Sequence, residues 1–123
     1  MTDKQFYTLF GEALKANDRD AFVYDWSLSS TWGDPEGAAN IPEERIKALG
    51  DLWDVAHITV REIRAATGLS QIAFAQRFCM PRRTVENWES GANNCPDYLR
   101  ILLAQAVGLY RMSKNTIKHT GNQ

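Results

Sequence analysis

The apolar positions of this chain recur at three- and four-residue spacing in short runs, each closed by Gly, Asn or Pro. Phe6, Phe10, Ala13 and Leu14 form one such stripe behind Thr2, a residue able to cap it, and predict a helix over 3–16. Asn17-Asp18-Arg19-Asp20 interrupts the pattern, and either Asp18 or Asp20 can cap a helix beginning there. The next segment, AFVYDWSLSS, suits a helical face of Phe22, Val23 and Trp26 or a short strand. Helix over 20–28 is the favoured reading, because no second convincing strand exists to pair with it. Ile46, Leu49, Leu52, Trp53 and Ala56 predict a helix over 42–56, with Pro42 in its first turn and Glu43 and Glu44 beside the positive end of its dipole.

Thr59 and Glu62 have the spacing of a capping box, and the helix they open ends near Thr67, with Gly68 suited to a left-handed cap. Ser70 caps a helix over 71–78 that offers Ile72, Phe74, Ala75 and Phe78 for packing. Pro81 opens another over 81–90, and Gly91 ends it. Pro96 begins the last, over 96–110, in which Tyr98, Leu99, Leu102, Leu103, Ala106 and Val107 form an apolar stripe. The fold class expected is all-α.

With 123 residues there is room for one compact domain and an arm. The Gly33-Asp34-Pro35-Glu36-Gly37 loop is the best internal boundary. It divides an acidic, aromatic-rich helical arm, 1–40, from a domain over 41–112, and the polar stretch 113–123 is expected to be disordered. Hydrophobic residues at 44% and charged residues at 24% are ordinary for a globular protein. No apolar run approaches the roughly 20 residues of a membrane span, and Met1-Thr2-Asp3-Lys4 lacks the plan of a signal peptide, so a cytoplasmic protein is expected.

Net charge is −1, but it is unevenly placed. Residues 1–56 hold five Lys or Arg and eleven Asp or Glu, a net −6; residues 57–123 hold nine and four, a net +5. A basic second half suits phosphate attraction, whereas the acidic half must face away from a polyanion or toward another partner. Cys79 and Cys95 lie sixteen apart with no second pair and no close histidine, which is not a zinc pattern; free, partly buried thiols are expected, and no metal or cofactor.

Within 58–91, ITVREIRAATGLSQIAFAQRFCMPRRTVENWESG, two short amphipathic helices meet at a tight turn. Val85 and Trp88 lie three apart and can face inward with Phe78, which leaves Arg82, Arg83, Glu86 and Asn87 facing outward. A helix of that size fits the major groove of DNA, and Arg and Asn pair with guanine and adenine edges. Adjacent arginines could instead grip phosphate, which gives affinity with little sequence preference.

The string GLSQIAFAQRF-CMPRRTVENWESG, with Gly68-Leu69-Ser70-Gln71, Ala75, Val85, Trp88-Glu89 and Gly91, resembles the phage repressor-like helix-turn-helix family of Cro/C1 or XRE type. The resemblance covers residues 58–110 and implies a repressor-like domain of about five helices behind the N-terminal arm. It implies base-reading positions at Arg82, Arg83 and Asn87, a phosphate contact from Gln71, and a positioning or phosphate role for Thr84. It also implies an ion pair between Arg64 and Glu89 behind the recognition helix that holds Arg64 near the DNA backbone. Two positions depart from the family pattern. Cys79 stands where the turn usually has Gly, and left-handed backbone is costly for any other residue. The loop Ala92-Asn93-Asn94-Cys95 is neutral where the family is often basic, which implies modest affinity or compensation from Arg77, Arg100, Lys114 or Lys118.

These readings predict sequence-specific binding to double-stranded DNA by a transcriptional regulator, acting as a homodimer through the apolar helix 96–110 or, second, through the arm. The rival is a protein-binding module, of antitoxin or phage-inhibitor type, whose acidic arm over 1–40 engages a protein and whose helix-turn-helix serves as scaffold or autoregulator. No Ser, Cys, His and acid stand at catalytic spacing, so no enzymatic activity is expected.

Overall fold

The computed structural model describes residues 1–37 and 40–111. The polar stretch 113–123, with Lys114 and Lys118, lies outside the described residues. Among those described there are seven α-helices and no strand: α1 Asp3–Lys15, α2 Arg19–Ser27, α3 Glu43–His57, α4 Val60–Thr67, α5 Gln71–Arg77, α6 Arg82–Ser90 and α7 Asp97–Ala106, with a single 3-10 turn at Ser30–Trp32. The segment that suited helix or strand is helical, and Asp18 rather than Asp20 caps it, accepting from the Ala21 amide at 2.9 Å.

Two compact units result, 1–57 and 58–111. The division falls after α3, not in the glycine-rich loop before it. The reason lies in the first core: Leu49, Leu52 and Ala56 of α3 are buried together with Leu9 and Ala13 of α1 and Phe22 of α2. Trp26, Trp32 and Trp53 pack against this cluster. The indole N–H of Trp53 donates to the Ala16 carbonyl at 3.0 Å, and that of Trp32 to the Trp26 carbonyl at 2.7 Å. His57 ends α3, hydrogen-bonded to the Ala13 carbonyl at 2.7 Å and stacked on Trp53.

The glycine-rich loop is clamped to α3. Arg45 forks onto Asp34 at 2.6 and 2.7 Å, donates to the Ser27 carbonyl at 2.9 Å and lies over the Trp32 ring. That pairing holds the Asp34 carboxyl below the usual aspartate range. Gly50 leaves room where Arg19 crosses α3 to reach Asp54; a Cβ there would push the Arg19 guanidinium aside.

The second unit has four helices, α4 to α7, since α3 belongs to the first core. Its buried side chains include Val60, Ile63, Phe74, Ala75, Val85, Leu103 and Ala104. Helix α6 packs on α4 and α5, and α7 on α4. Ile72, expected to pack, is exposed: in the first turn of α5 it points away from the Phe74–Ala75 face. The stripe of α7 divides between two faces. Leu103 is buried and Leu99 half-buried, while Tyr98, Leu102 and Ala106 are exposed. The helix ends at Ala106, short of 110, where Gly108 turns into the left-handed region and the Leu109 amide donates to the Ala104 carbonyl at 2.8 Å.

Candidate nucleic-acid interface

Local sequence sets the path of the chain from α4 to α6. Thr59 and Glu62 form the capping box: the Thr59 hydroxyl accepts from the Glu62 amide at 3.1 Å and Glu62 from the Thr59 amide at 3.0 Å. Gly68 closes α4 at φ +72°. Ser70 caps α5 through the Ala73 amide at 3.1 Å. The turn into α6 is the one place, among the described residues, where a non-glycine residue takes positive φ: Cys79 sits at φ 55°. Two amide bonds wrap the end of α5 there, Cys79 to the Gln76 carbonyl at 3.2 Å and Met80 to the Ala75 carbonyl at 2.9 Å. The departure from glycine therefore leaves the turn geometry in place and adds strain of about 1 kcal/mol. Pro81, with its fixed φ and no N–H, then starts α6 without needing a side-chain cap.

The centre of the unit is a charged knot. Arg64 forks onto Glu89 at 2.7 and 2.8 Å, and its remaining Nη1 donates to the Leu69 carbonyl at 3.0 Å. The Glu89 side chain is 1% exposed and that of Arg64 21%. Gln71 adds its amide to Glu89 at 3.2 Å, and Arg61 lies 3.8 Å away on the solvent side. Burial alone would raise the Glu89 carboxyl, but the Arg64 hydrogen bonds outweigh it and hold the group below the ordinary glutamate range. One guanidinium thus ties α4, the entry to α5 and the C-terminal half of α6.

With Val85 fully buried and Glu89 facing the knot, the other side of α6 faces out. Arg82 and Arg83 are exposed, and Thr84, Glu86 and Asn87 are half-buried. Arg82 pairs with Glu86 one turn along, Nε to Oε2 at 3.2 Å. The Asn87 carbonyl receives the Asn93 amide at 3.1 Å, which folds the neutral loop back onto the helix. Arg77, at the end of α5, is exposed. Arg100 is not available as a phosphate contact: its side chain donates to the Ile58 carbonyl at 2.6 Å and to Asp97 at 2.7 Å. Of the two thiols, Cys79 is exposed rather than partly buried, whereas Cys95 is half-buried and its thiol is pushed up to about 11 by loss of hydration. The Arg82–Glu86 pair was not anticipated, although its i, i+4 spacing is the signal that could have revealed it.

Two helices joined by a tight turn, the second mounted through its inner face with its arginines outward, define a helix-turn-helix. Residues 60–104 match the family described as helix-turn-helix, which supports a DNA-binding helix-turn-helix in that segment. No curated protein and no solved structure matches the chain. No described helix is long and apolar enough to cross a membrane.

Proposed function

We propose that this protein is a sequence-specific double-stranded DNA-binding transcriptional regulator that works in the cytoplasm and inserts α6 into the major groove. The observation that carries this reading is the orientation of α6: Val85 is buried and Glu89 is locked to Arg64, so Arg82 and Arg83 face solvent with Asn87 at the edge of the same face. Arg82, Arg83 and Asn87 read bases. Gln71, with its amide oriented by Glu89, and Thr84 position the helix on phosphate. Arg64 holds the mount in place. A good bidentate contact contributes about 1–3 kcal/mol of discrimination, enough for three side chains to define a short half-site.

A second copy completes the proposal. Tyr98 is 70% exposed, and Leu102, Ala106 and Leu109 share its outward face of α7 and the turn beyond. Burying that face between two copies gives a homodimer suited to a palindromic site.

Selection from a random duplex pool, followed by gel-shift titration, tests the reading. Arg82→Ala and Asn87→Ala each relax preference at particular base pairs, and Gln71→Ala weakens binding uniformly. If Arg82→Ala, Arg83→Ala and Asn87→Ala all leave the selected preference intact, the assigned face is wrong. A monomer in sedimentation at tens of micromolar removes the dimer.

A second reading gives the first unit a protein partner, favoured by Tyr7 and Tyr24, exposed at 82% and 66% on a unit rich in acids. Substituting both by Ala abolishes partner capture and leaves DNA binding intact if this reading holds. Deletion of 1–40 is a poor test, since those residues share a core with α3.

A further inference from the structure

Glu86 is a carboxylate on the one face of α6 that a polyanion would meet. It is 43% exposed, it lies one helical turn from Arg82, itself 55% exposed, and the two side chains are paired at 3.2 Å. Such an exposed pair adds little to stability, and a negative charge beside DNA weakens attraction to the backbone. Neither consideration accounts for an acid at this place.

We infer that Glu86 is a positioning residue for specificity: it holds Arg82 to a guanine edge and keeps it off phosphate. The inference rests on the DNA-binding reading above. The pair engages Arg82 through Nε. That is the nearest contact of the pair, and no hydrogen bond engages the terminal Nη1–Nη2 fork, the end that can span guanine O6 and N7. A side chain anchored at Nε has fewer orientations to lose on pairing with a base. The carboxylate also repels any phosphate that would compete for the same guanidinium. Arg83, the neighbouring arginine, has no such partner at i+4, because that place is Asn87. The two adjacent arginines therefore differ in role: Arg82 is committed to a base, and Arg83 is free to take base or phosphate.

The test compares the full-length wild type, Glu86→Gln, Arg82→Ala and the double variant on a selected duplex, on that duplex changed at each base pair in turn, and on an unrelated duplex. Thermal unfolding, expected to be unchanged, serves as the folding control. Glu86→Gln lowers discrimination at one guanine-containing pair by about tenfold, tightens binding to the unrelated duplex severalfold and steepens the salt dependence by about one phosphate contact. The affected pair is the one that Arg82→Ala also affects, and in the Arg82→Ala background Glu86→Gln has no further effect on preference. Unchanged discrimination in Glu86→Gln overturns the inference and leaves the DNA-binding reading standing. So does an effect that persists without Arg82, which would make Glu86 a direct reader. Failure of the wild type to prefer any duplex overturns both.

Discussion

The two units of this chain bury different chemistry. The first hides leucines and rings: Leu9, Leu49, Leu52 and Phe22 meet among three half-buried tryptophans, and its paired carboxylates, Asp34, Asp51 and Asp54, all stay exposed, even where Arg45, the partner of Asp34, is nearly buried. The second buries a carboxylate, Glu89, in the grip of Arg64, on the inner side of the same helix whose arginines face out. A buried ion pair contributes little net stability against an apolar pair of the same size, but losing one partner leaves the other charge uncompensated, so the two stay together. The first unit is built to cohere, and the second to hold one surface at one angle.

The largest expected effect sharpens that contrast from the apolar side. Leu52 is fully buried, and Leu52→Ala lowers unfolding free energy by about 3–4 kcal/mol. Urea titration reads this loss, which is the same at pH 4 and pH 7. A loss that grew with acid would break the comparison.

Next comes the charged side. Glu89→Gln leaves Arg64 without its counter-charge and costs about 2–3 kcal/mol at neutral pH, near the low end for a buried pair because Arg64 keeps some solvent. Its signature is in the pH profile. A carboxyl whose folded pKa is depressed stabilises fully above its unfolded value, about 4.3 for Glu, and loses that contribution as pH falls through the lower folded value. The wild type therefore loses stability on acidification below about pH 4.3, and Glu89→Gln removes that part of the slope. An unaltered acid profile in the variant would contradict the assigned role.

A smaller effect of opposite sign belongs to the turn. Cys79 holds φ 55°, so Cys79→Gly relieves strain and raises stability by about 1 kcal/mol, less the added freedom of the unfolded chain. A calorimetric melting temperature that fails to rise would show that the turn carries no such strain. The smallest effect returns to the first unit. Gly50→Ala drives Arg19 off Asp54, losing an exposed pair and gaining helix propensity. These offset to within about 0.5 kcal/mol. Asp54→Ala then adds nothing in the Gly50→Ala background, which a double-mutant cycle measures.

Much of this was legible in the residues, because local chemistry decided it. Thr59 with Glu62, Gly68, Ser70, Pro81 and Gly91 mark the ends of α4, α5 and α6 through caps that depend on neighbours at most three residues away. The outward face of α6 followed from helical periodicity. The allegiance of α3 was not legible. Its apolar face, Leu49, Leu52 and Ala56, suits any partner, and the loop before it has the composition of a boundary. What makes that loop part of the first unit is Arg45 reaching Asp34 across eleven residues, a tertiary choice that no spacing rule encodes. Arg100 misled for a similar reason: it reads as a surface cation until the Ile58 carbonyl, forty-two residues earlier, is found within its reach.

The three-way grip of Arg64 has a consequence for how such a molecule can diversify. The mount of α6 depends on Arg64, Leu69, Gln71, Val85 and Glu89, none of which stands among the outward positions 82, 83, 86 and 87. Those four can be exchanged as a set while the frame beneath them stays as it is, so the outward surface of the helix can change its chemistry in a handful of codon changes without passing through an unfolded ancestor.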